Sequence, residues 1–143
     1  CSIIMVEKLS VTILGCGSSG GVPRIDGDWG DCDPSEIKNL RSRCSLLVQK
    51  FNTKNEVTTV LIDTSPDIRN QLLKANVTSM DAVLYTHDHA DQCGGIDDLR
   101  VFALRKRKRV QVYLDEQTAS RLIPRFSYCF NTFRAHAYNY AIV

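Results

Sequence analysis

The sequence predicts a mixed α/β domain, and three observations carry that prediction. Short runs of aliphatic and β-branched residues alternate along the chain with stretches whose apolar residues recur at helical spacing. The 143 residues are enough for one hydrophobic core and too few for two complete domains. No internal repeat, low-complexity tract or linker rich in Pro, Gly or Ser divides them, so residues 1–143 read as a single domain.

The elements follow in order. Leu9 to Leu14 reads as a strand, with Val11 and Ile13 alternating with polar neighbours, and it runs into the glycine loop GCGSSGG. Ser45 to Gln49 and Val57 to Ile62 are two further strands joined by the polar NTKNE, an antiparallel hairpin. DTSPDIRNQLLKA predicts a helix with Ser65 as N-cap, Pro66 at the first helical position, Asp67 in the first turn, and Ile68, Leu72 and Leu73 on one apolar face. Ala82 to Tyr85 is a short strand that ends directly at THDHAD. IDDLRVFALRKRK predicts a helix with apolar Ile96, Leu99, Val101, Phe102 and Leu104, Val110 to Leu114 another strand, and EQTASRLIPRFSYCF a helix broken near Pro124.

Composition excludes little beyond disorder. Hydrophobic residues at 43% and charged residues at 24% are ordinary globular usage. Eighteen basic against 16 acidic residues are too nearly balanced for global charge to select a nucleic acid or a membrane. The run Arg105-Lys106-Arg107-Lys108-Arg109 is the one local patch that attracts nucleic acid, but it sits at the expected C-terminus of a helix, where cations are favoured anyway. Nucleic acid is therefore the less favoured partner, a small phosphorylated substrate is preferred, and no membrane partner is expected. The six cysteines have no compact spacing, which suggests reduced thiols and a cytoplasmic protein. The start CSIIMVEK lacks the features of a signal peptide, so the expected natural start is Met5, with a lipidated Cys1 as the alternative.

The chemistry concentrates in His87-Asp88-His89-Ala90-Asp91-Gln92. Two imidazoles two residues apart on an extended turn can grip one ion, and a carboxylate two residues further on adds a harder oxygen donor. Zinc accepts this mixture, as does manganese where carboxylates join in. One or two such ions would activate water for attack on a phosphorus or carbonyl centre without a side-chain nucleophile. The alternative is a polar turn whose histidines cap the next helix.

THDHADQCGGIDDLR resembles the HxHxDH signature of the metallo-β-lactamase superfamily, set one strand after LIDTSPD. LGCGSSGGVPR, WGDCDP, RSRCSLLV and IDDLR are similar to its cyclic-phosphodiesterase branch, which includes phosphoribosyl cyclic-phosphate phosphodiesterase and is related to the tRNA 3′-processing endonucleases. The similarity runs from about Leu9 to about Phe130. It implies the N-terminal portion of an αββα sandwich and metal-dependent hydrolysis of phosphodiesters, such as cyclic phosphates or nucleotide-like compounds. His87 and His89 match ligands of a first metal, and Asp91 a ligand of the second and the catalytic position. Asp63 and Asp88 match supporting residues that orient ligands through hydrogen bonds. Gln92 stands where the family pattern has a histidine, which gives the second metal a weaker, neutral ligand.

The family's remaining ligands come from a C-terminal half, and after His89 this chain has only His136, within NTFRAHAYNYAIV, which reads as a tail residue. The expectation is a truncated or frameshifted chain, with an inactive remnant or metal-binding module as the alternative to an active enzyme. A sheet face left bare would then be covered by a homo-oligomer. In the glycine loop, Ser18, Ser19 and Gly20 offer hydroxyls and backbone N–H groups to a phosphate, with Arg24 as a weaker candidate and a plain tight turn as the alternative. Cys32 and Cys44, without a CxxC pair, fall short of a structural zinc site.

Overall fold

The computed structural model describes residues 7–54 and 56–130. Five strands form one sheet in chain order: β1 (Lys8–Gly15), β2 (Ser45–Phe51), β3 (Val57–Ile62), β4 (Ala82–Leu84) and β5 (Gln111–Tyr113). The first three are antiparallel neighbours, and β3, β4 and β5 run parallel. A parallel pair needs a crossover, and helices supply it. α1 (Ile68–Lys74) links β3 to β4, while α2 (Ala90–Cys93), a 3-10 turn (Ile96–Leu99) and α3 (Arg100–Lys106) link β4 to β5. α4 (Glu116–Arg125) and α5 (Ser127–Phe130) follow.

Strand alternation divides the sheet into two different faces. Leu47, Leu61 and Val83 lie in register on one of them and are buried against Ile68 and Leu72 of α1, Ile96 and Leu99 of the 3-10 turn, Phe102 of α3 and Leu122 of α4. The other face carries the row Ile13, Leu46, Ile62, Leu84, Tyr113 and beside it Val11, Val48, Val60, Ala82. Ile13 is 69% exposed and Tyr113 59%, so this apolar face is uncovered among the described residues.

Three expectations change. The first helix begins at Ile68 rather than after Ser65, because Ser65, Pro66 and Asp67 form a turn in which Ser65 Oγ accepts from the Asp67 N–H and donates to Gln71. In so short a helix Ile68 and Leu72 set the buried stripe, and Leu73, rotated away from it, is exposed while Gln71 is buried. The predicted helix from Ile96 is a 3-10 turn followed by α3, burying Ile96, Leu99 and Phe102 at threefold spacing and leaving Val101 and Leu104 exposed. The last predicted helix breaks near Pro124 as expected, with the interruption at Phe126. Cys1, Met5 and His136 lie outside the described residues.

Candidate metal centre

The parallel strands β3 and β4 end side by side, so the residues that follow them meet at one end of the sheet. Asp63 follows β3 with φ +62°, a left-handed conformation that costs a non-glycine residue of order 1 kcal/mol. Its surroundings over-determine that conformation. Its N–H donates to the Leu84 carbonyl at 2.9 Å, and its own carbonyl accepts from Ser45 Oγ at 2.9 Å. The buried carboxylate accepts from the Thr86 N–H at 2.8 Å through Oδ1 and from Thr86 Oγ1 at 2.7 Å through Oδ2. Burial raises the Asp63 pKa, partly offset by the two Thr86 hydrogen bonds and by His87.

Thr86 links this carboxylate to the first histidine, because its Oγ1 also lies 2.9 Å from His87 Nδ1. A threonine hydroxyl has a single proton. With that proton given to Asp63, the hydroxyl accepts from His87 Nδ1–H, and the lone pair of the neutral ring is left on Nε2. That is the tautomer required for ligating a metal through Nε2, fixed by a partner behind the ring.

His89 stands at the N-cap of α2, yet its side chain makes no capping hydrogen bond. The two histidines are therefore not explained as helix caps. Their ring centroids are 4.7 Å apart with the planes at 74°. Two imidazoles sharing a tetrahedral ion would have centroids about 5 Å apart, given metal–nitrogen bonds near 2 Å. Asp91 follows in the first turn of α2, and the buried Gln92 donates from Nε2 to Asp91 Oδ2 at 3.0 Å. Among the described residues no group of three or more His, Cys, Asp or Glu side chains is placed to hold a metal ion. The donor chemistry thus fits half of a site, a preset imidazole pair with a carboxylate close by in sequence.

Asp88, between the histidines, reaches away to α4. Its Oδ2 pairs with Arg125 Nη2 at 3.0 Å and its Oδ1 with Arg121 Nη1 at 3.5 Å. Desolvation would raise its pKa, but the Arg125 hydrogen bond and the Arg121 charge outweigh it and hold the carboxyl below the usual range. The α2 turn is seated on the end of β3 through Thr64 N–H to Gln92 O at 2.7 Å and Gly95 N–H to Thr64 O at 2.9 Å. A Cβ on Gly95 would lie 2.3 Å from the Ser65 carbonyl oxygen, so this seat requires glycine.

No hydrogen bond joins the glycine loop to the histidines among the described residues. The loop leaves β1, three strands from β4, roughly 14 Å at ordinary strand spacing. Gly17 N–H and Gly21 N–H are spent on the Ser42 and Ser18 carbonyls, and Ser18 and Ser19 are exposed. Gly20 lines a cleft of about 540 Å³ with Arg41, Arg43, Asn70 and Lys74, and neither histidine lines it. Arg24 pairs with Asp28 at 3.2 Å. In the basic run, Lys106 pairs with Asp81 at 2.7 Å.

Thr86, Arg121, Arg125 and Gly95 escaped the sequence reading. Thr86 had one signal, its place directly before the histidines. Arg125 had none, being 37 residues from Asp88.

Residues 58–141 match the family described as the Beta-lactamase superfamily domain. The chain belongs to the β-lactamase superfamily. It is similar to the crystal structure of a new diphosphatase from the PhnP family, with 37% identity and a TM-score of 0.72, covering 85% of this chain and 47% of that one. It also resembles zinc-bound PqqB from Methylobacterium extorquens, at 22% identity and a TM-score of 0.56, over 80% of this chain and 39% of that chain. This second likeness bears on the fold alone. An octanoyltransferase from Porphyromonas gingivalis (strain ATCC BAA-308 / W83) is 37% identical over 118 residues, which are 82% of this chain and 23% of that protein. The chain therefore spans about half of the similar diphosphatase and under a quarter of this relative. No helix among the described residues is long and apolar enough to cross a membrane.

Proposed function

We propose that this chain holds a divalent metal ion, zinc or manganese, through His87 and His89 with Asp91, and belongs to a hydrolase of phosphate esters or anhydrides. The observation that carries this reading is the Asp63–Thr86–His87 chain of hydrogen bonds, which leaves the His87 lone pair on Nε2 in a ring whose centroid lies 4.7 Å from that of His89. A divalent ion in such a site supplies Lewis acidity toward a phosphoryl oxygen and activates water at neutral pH. The residues of this chain do the rest. Asp63 keeps the His87 ring in one tautomer, Gln92 steadies one oxygen of Asp91, and Asp88 ties the turn to α4.

The diphosphatase likeness supports a phosphorylated substrate, and the name of the octanoyltransferase, matched over so small a part of that protein, weighs less. Ser18, Ser19 and Gly20 are proposed to meet a substrate phosphate distant from the metal. Turnover of bis(p-nitrophenyl) phosphate with added manganese or zinc tests the reading. Activity that is lost in His89→Ala supports it. A chain that takes up metal but turns nothing over would be a metal-binding module instead, and one that does neither an inactive remnant.

A further inference from the structure

The turn that carries the two histidines is held from behind by a helix 37 residues away in sequence. α4 is itself firmly placed, with Leu122 and Thr118 buried and Asp115 accepting from the Thr118 N–H at its N-terminus. Arg121 and Arg125, four residues apart, share one face of it. The Arg125 guanidinium bridges two different atoms of one residue: Nη1 donates to the Asp88 main-chain carbonyl and Nη2 to its carboxylate. Arg121 approaches the other carboxylate oxygen at 3.5 Å. The buried Cys93 of α2 donates to the same Asp88 carbonyl at 3.4 Å. Main chain and side chain of the residue between the histidines are therefore fixed together.

We infer that Arg125, assisted by Arg121, is a positioning residue that sets the spacing of His87 and His89 by clamping Asp88, so that α4 controls how well the turn holds a metal. The inference rests on the reading of these histidines as metal ligands. A fork that bonds backbone and side chain at once is geometry that a lysine cannot reproduce. It also makes a prediction of distinctive sign. If Arg125 acted only through its charge, removing it would strengthen the binding of a cation nearby. As a clamp, its removal weakens binding.

Two measurements on the full chain decide the matter. In zinc titrations followed by calorimetry, Arg125→Gln is expected to raise the dissociation constant about tenfold, the low end of the effect of removing a partner behind a metal ligand. Arg125→Lys, keeping the charge but not the fork, is expected to recover only part of that loss. In hydrogen exchange of the metal-free chain, peptides covering 87–93 are expected to exchange faster in Arg125→Gln, with those covering 45–62 unchanged. Zinc binding as tight as wild type or tighter, or unaltered exchange at 87–93, overturns the clamp. If the wild-type chain takes up no zinc, the metal reading fails, and the exchange data alone judge whether α4 holds the turn. Should Arg125→Gln not fold, Asp88→Asn serves in its place. It weakens the ionic arm while keeping the carbonyl bond, and because losing a carboxylate lowers cation affinity by charge alone, it is read by hydrogen exchange: faster exchange at 87–93 is expected, and unaltered exchange overturns the clamp.

Discussion

Two loops leave the same end of the sheet and are built differently. The histidine turn after β4 has its side chains fixed from outside: His87 through Thr86 by Asp63, Asp88 by Arg125, and the following helix seated on Thr64. The glycine loop after β1 is held mainly through main-chain atoms, Gly17 to Ser42 and Ser19 to Arg43, while the Ser18 and Ser19 residues stay exposed. Such bracing restricts side-chain freedom in advance, which is what a metal pair demands and a phosphate cradle made of backbone does not.

The comparison breaks most readily at Thr86. Thr86→Val removes the hydroxyl that joins Asp63 to His87 and leaves a buried carboxylate short of one donor. The expected outcome is a 10- to 100-fold loss of zinc affinity with about 1–3 kcal/mol of stability lost, read by titration and by urea unfolding. Gly95→Ala attacks the seat rather than the ligands. With backbone and Ile68 atoms within 2.5 Å of the new Cβ, it should destabilise the chain by about 1–3 kcal/mol and weaken metal binding only as far as the turn shifts.

Gln92→His sharpens the same region from the other direction. It replaces an amide by an imidazole beside Asp91, and a gain in metal bound per chain is expected by mass spectrometry. The smallest effect belongs to the other loop. Ser18→Ala with Ser19→Ala should change stability by less than about 0.5 kcal/mol and leave zinc affinity unchanged, while weakening inhibition by inorganic phosphate if the loop meets a substrate phosphate.

How much of this was legible follows from sequence distance. His87, His89 and Asp91 fall within five residues and sit after an obvious strand, so ligand types and position could be read together. The five strands were legible for the same reason, each a short apolar run between polar breaks. Leu73 was placed on the apolar face with Ile68 and Leu72 but is exposed, because a helix this short does not fix its own rotation from apolar identity alone. The buried Gln71, satisfied by Ser42, Arg43 and Ser65, and the Arg125 fork depend on segments that meet only in the fold. The apolar sheet face was expected from the resemblance, whose sandwich packs a second sheet on it, and in the structure Val11 and Ile13 lie on that face, away from the buried Leu47 row.

The most direct test of the metal centre is metal content per chain, measured by mass spectrometry after purification without chelators, for the wild type and for His87→Ala combined with His89→Ala. The imidazole pair predicts near-stoichiometric zinc or manganese in the wild type and its loss in the double variant. Equal metal in both, or none in either, would contradict it.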